Sequence, residues 1–113
     1  MKQNTLNVGA MGMATSAGTL QKIKTLEQEY NSENISAIEA VQTTYSLWDE
    51  SADLSLKSKN RAALRCRLRK FLKIVIEQNK FDQYFIGAVE DEIKLMDPKL
   101  LDIEVDFSVD TED

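Results

Sequence analysis

KSKNRAALRCRLRKFLKIVIEQNK, residues 57–80, places Leu64, Leu68, Phe71, Leu72 and Val75 at spacings of three and four. On a helix these residues form one apolar stripe that has to be buried against other helices. A second row runs beside it: Lys57, Arg61, Arg65, Arg69 and Lys73 follow one another at intervals of four, stacking five cations along one side. Residues 57–80 hold nine basic residues and one acid, Glu77. Residues 1–56 hold three basic and seven acidic, and residues 81–113 two basic and eleven acidic. The net charge of −5 therefore conceals one basic element between two acidic ones, and an argument from overall charge misleads.

Segments on either side of this stretch repeat the helical period. Leu20, Ile23, Leu26 and Tyr30 give a short amphipathic helix with Thr19 as its cap, and Asn31, Ser32 and Asn34 break the pattern. Ser32 or Asn34 then opens a second helix with Ile38, Val41, Tyr45 and Trp48 on its stripe. The polar run 49–58 offers Ser51, Asp53 and Ser55 as caps for the basic helix, and Asn79 closes that helix in the left-handed geometry that Asn tolerates. Asp82 caps a fourth helix whose apolar positions are Tyr84, Phe85, Ala88, Val89, Ile93 and Met96, ending before Pro98. Gly87 inside it reads either as a mild weakener or as a point of close helix approach.

Four Gly and one Pro in 113 residues argue against a turn-dense sheet protein. The expectation is an all-α fold: one small bundle of about four helices at 19–97, a flexible arm at 1–18 and an extended acidic tail at 98–113. In the tail, Ile103, Val105, Phe107 and Val109 alternate with Glu104, Asp106, Ser108 and Asp110, the period of an extended strand. A lone strand has to pair, dock or stay solvated. Leu6 to Val8 is the sole weak internal partner.

The chain has no His and one Cys, which leaves no set of soft ligands for zinc and removes intramolecular disulfides and His-dependent nucleophile pairs. Cys66 reads as a small apolar filler, with a thiol activated by Arg65 and Arg67 as the sharper alternative. No phosphate-cradling glycine loop is present, and no carboxylate pair has an acid–base spacing, so no catalytic, cofactor-binding or metal residue is assigned. No secretory signal or membrane-length apolar run is read, and the expected compartment is a reducing cytoplasm.

These features point to a non-enzymatic protein–protein interaction module: an adaptor, chaperone-like or regulatory subunit of an assembly. Its partner would be another protein or a second copy, not a membrane. The candidate contact residues are Trp48, Arg61, Arg65, Arg69, Lys73, Ile103, Val105 and Phe107. The second reading is a small nucleic-acid-associated regulator or ribonucleoprotein subunit that neutralises phosphates through the basic helix. Interleaved aromatic residues are missing from that helix, and no tight turn precedes KNRAALRCRLRKFLK, so a helix-turn-helix is disfavoured.

Overall fold

Side-chain oxygens set most of the helix starts. In the computed structural model, which describes residues 14–95, Thr15 Oγ1 accepts from the Gly18 amide and opens α1 (Ser16–Asn31). Ser36 and Glu39 form a reciprocal capping box that opens α2 (Ala37–Glu50), and Asp82 Oδ1 accepts from the Tyr84 and Phe85 amides ahead of α4 (Gln83–Leu95). The exception is α3 (Ser58–Asn79), whose cap position is Lys57 with no side-chain hydrogen bond. Four helices and no strand make up the described residues, so the fold is all-α. The calls on residues 1–13 and on the tail at 98–113 lie outside the described residues.

Several local expectations are corrected. Thr19 is not a cap; α1 begins at Ser16, inside the segment expected to be an arm, and Thr19 is buried with its hydroxyl donating to Glu50 Oε2 at 2.6 Å. The second helix is capped by Ser36, not by Ser32 or Asn34. The left-handed residue is not Asn79, which stays helical and donates to the Val75 carbonyl. It is Glu33, with φ 61, where the Asn34 and Ser32 amides return to the Glu29 and Gln28 carbonyls and close α1. Ser51 does not cap α3 either, since its hydroxyl donates to the Trp48 carbonyl at the end of α2.

The core forms around α2, which packs against each of the other three helices, while α1 also packs on α3. Ile23 and Leu26 of α1, Val41, Leu47 and Trp48 of α2, Leu56 of the corner, Leu64, Leu68, Phe71, Leu72 and Val75 of α3, and Phe85 and Val89 of α4 share one apolar cluster. Because α2 is covered on three sides, its buried arc is wider than the expected stripe. Ala40 and Thr44 are buried too, and the Thr44 hydroxyl is satisfied by the Ala40 carbonyl at 2.7 Å. Ile38 and Tyr45 sit at its margins.

Polar ties fix the register. Asn60 donates to Ser16 Oγ at 2.8 Å, Arg67 grips Glu27 through two bonds of 2.8 and 2.9 Å, and the Tyr30 ring meets Phe71 edge-on at 5.5 Å. These contacts advance together along both helices, so α1 and α3 run in the same direction. Glu50, at the end of α2, meets Thr19 and Lys22 near the start of α1.

Gly87 resolves to the bland alternative, because a Cβ there would find no atom within 4 Å. What remains is the entropic cost of glycine on the exposed face of a helix. Gly87→Ala is therefore expected to stabilise the domain by about 0.5–1 kcal/mol. A thermal midpoint that falls would show that another segment packs over that position.

Candidate interaction surfaces

The basic row of α3 does not stand free in solvent. Its middle turns toward the end of α2. Arg61 donates to the Leu56 carbonyl at 2.6 Å. Arg65 donates through Nε to Ser51 Oγ at 2.9 Å and through its terminal nitrogen to the Trp48 carbonyl at 3.0 Å. The last turn of α2 holds no basic residue of its own, so Arg65 supplies from a neighbouring helix the cation that the carbonyl end of α2 favours. Burial, then the like charge of Arg69 and, more weakly, Arg61 push the Arg65 guanidinium below the ordinary arginine value, against the pull of Asp49.

Trp48 is placed by the same arrangement. The residue is 8% exposed, with the Arg65 guanidinium 4.4 Å from the ring centroid and that of Arg69 at 5.4 Å. The sequence allows Trp48 to be a core-edge residue or an interface anchor, and in the fold it sits at the core edge, roofed by two arginines, because α3 runs alongside the last turn of α2. Arg69 is itself 7% exposed, and its Nε is buried without a hydrogen-bond partner. It is a charge retained inside without an ion pair among the described residues. Lys57 and Lys73, the two ends of the row, are exposed. The structure thus brings Trp48, Arg65 and Arg69 together, sets Arg61 one turn away, and leaves Lys73 on a different side. Ile103, Val105 and Phe107 lie outside the described residues.

The other flank of α3 borders a groove of about 350 Å³ with α1, lined by Glu27, Asn31, Arg67, Lys70, Phe71 and Ile74. The Glu27 pair, opposed by burial, raises the Arg67 pKa, so this cation is committed as well. Among the described residues no three of His, Cys, Asp and Glu gather as metal ligands, and no helix is long and apolar enough to cross a membrane.

A surface not singled out in the sequence lies at the α3–α4 corner. Phe81 is 86% exposed and Tyr84 77%, and Gly87 and Ala88 continue the open face along α4. Tyr84 and Ala88 were expected in the buried stripe. The stripe that packs on α2 is Phe85 and Val89, with Ile86 and Ile93 at its margin, which turns Tyr84 and Ala88 outward. Phe81 precedes the Asp82 cap, and the Lys80 ammonium lies 5.2 Å from its ring centroid. The exposed carboxylates of Glu77, Asp82 and Asp91 sit on the same corner and helix. Lys80, with a smaller contribution from Lys73, lowers the Glu77 pKa.

Comparison of this chain with protein-family models, with curated proteins and with solved structures finds no match.

Proposed function

We propose that this protein is a non-enzymatic protein–protein interaction module, an adaptor, chaperone-like or regulatory subunit of an assembly, working in a reducing cytoplasm. The observation that carries the reading is the aromatic corner. Two large aromatic side chains stand almost fully in water beside small residues, and aromatic residues of this kind supply much of the affinity at protein interfaces. The acids around them favour a protein over a polyanion. The alternating sequence of the tail offers a second contact through Ile103, Val105 and Phe107, the pattern of a segment that adds a strand to a partner's sheet edge.

The competing reading, phosphate binding by the basic helix, draws less support. Arg61 and Arg65 are spent on carbonyls at the end of α2 and its corner, Arg67 on Glu27, and Arg69 is buried. The exposed cations that remain, Lys57, Lys59 and Lys73, give a smaller footprint for counterion release than the full basic helix.

Capture of the tagged protein from its native cell, with and without nuclease, separates the two. A protein partner retained after nuclease and reduced at least about tenfold by Phe81→Ser with Tyr84→Ser, at unchanged helicity, is the expected result for hot-spot aromatics. Recovery that disappears with nuclease and ignores both substitutions would move the nucleic-acid reading ahead.

A further inference from the structure

Cys66 is 0% exposed and Ala63 2%, yet neither belongs to the apolar cluster that α1, α2, α3 and α4 share. At 100° per residue, Cys66 points away from Leu64, Leu68 and Val75 by about half a turn. It lies on the outer side of α3, on a stripe formed by Lys59, Ala63, Cys66, Lys70 and Lys73 at spacings of four, three, four and three. Two small sealed residues thus sit within a frame of three lysines, on a face that the shared core does not cover. Glu77, which extends the stripe, is bonded to Lys80 at 2.6 Å.

Two segments of the chain lie outside the described residues. Residues 1–13 contain Lys2 and no acid, whereas residues 98–113 contain six acids and one lysine. A lysine-framed face repels the first and attracts the second. Length allows it too: residues 96–113 reach up to about 60 Å when extended, against about 33 Å for all of α3. Residues 104–110 as a strand span about 20 Å, close to the 21 Å or so from Lys59 to Lys73 along the helix.

We propose that the acidic tail docks on its own domain along this stripe. Ile103, Val105 and Phe107 close over Ala63 and Cys66, whose small side chains admit an extended backbone at short range. The lysine stems flank the strand, and their ammonium groups reach the carboxylates of Glu104, Asp106 and Asp110 from the sides. The dock differs from the arginine row, which is turned toward α2. It rests on the reading of the tail as a contact element and adds that a partner for the tail has first to displace it from α3.

Cys66 is the single thiol, so its rate of reaction with a disulfide reagent in the purified protein reports the cover directly. Deletion of residues 102–113 is expected to speed modification at least about tenfold, the ratio set when the undocked state of the intact chain is populated at 10% or less. Val105→Ser with Phe107→Ser, and separately Lys70→Glu with Lys73→Glu, should act in the same direction in the full chain with helicity retained, so the test stands even if the truncated chain does not fold. Equal rates in all of these proteins would overturn the proposal. So would acceleration on removal of residues 1–13 instead, or protection that grows with protein concentration, which would assign the cover to the N-terminal segment or to a second copy. No partner enters this assay, so its failure leaves the aromatic-corner capture to be judged separately.

Discussion

Leu68→Ala is expected to destabilise the domain by about 2–5 kcal/mol, and Phe71→Ala by about 3–5 kcal/mol. Leu68 is fully buried and Phe71 nearly so, both inside the cluster that joins all four helices. Phe71 additionally holds the Tyr30 ring edge-on, and Tyr30 bonds Gln78 and Asn79. Its loss therefore loosens the α1–α3 seam as well as leaving a cavity. For a domain of this size each kcal/mol moves the thermal midpoint by roughly 4–8 °C, so either variant should melt well over 10 °C lower or fail to fold at ambient temperature. Thermal or urea unfolding followed by helicity measures this. Unchanged midpoints for both variants would mean that the central stripe of α3 is not packed as described.

Two arginines one turn apart on α3 are expected to respond with opposite signs. Arg65→Met removes the donors to the Trp48 carbonyl and the Ser51 hydroxyl and the cation over the indole. Charge-assisted hydrogen bonds of this kind and the stacked cation together place the loss at about 2–4 kcal/mol. Arg69→Met removes a buried charge whose Nε has no partner, and Met refills most of the volume. Replacing an unpaired buried charge by an apolar side chain is commonly neutral or favourable. The stability of Arg69→Met is therefore expected to equal the parent or exceed it by up to about 2 kcal/mol, after subtracting the weaker stacking on Trp48. Urea unfolding of the two variants side by side decides it. A large loss at Arg69 would show that its guanidinium has an anionic partner in the native protein.

The all-α class and the core of α3 were legible in the sequence because a 3.6-residue period held over about three turns has one burial solution: Leu64, Leu68, Phe71, Leu72 and Val75 are all buried. The Asp82 cap was legible for a similar local reason, since a carboxylate two and three residues ahead of free amides has few other partners. Tyr84 was not. In α4 the pairs Tyr84/Ala88 and Ile86/Ile93 flank Phe85 and Val89 equally well, and only the position of α2 decides which flank is wet.

The fate of the cations divides in the same way. The sequence alone places Arg61, Arg65 and Arg69 on one side of a helix, because each spacing of four drifts by only about 40°, whereas over the whole row that drift carries Lys57 and Lys73 about 160° apart. Whether that side meets water, phosphate or another helix depends on the crossing of α3 against α2, which no local spacing encodes. The tertiary structure set Arg65 and Arg69 over Trp48, because the end of α2 lies beside the middle of α3 and its carbonyls lack any cation of their own. By the same packing it left Phe81 and Tyr84 in water.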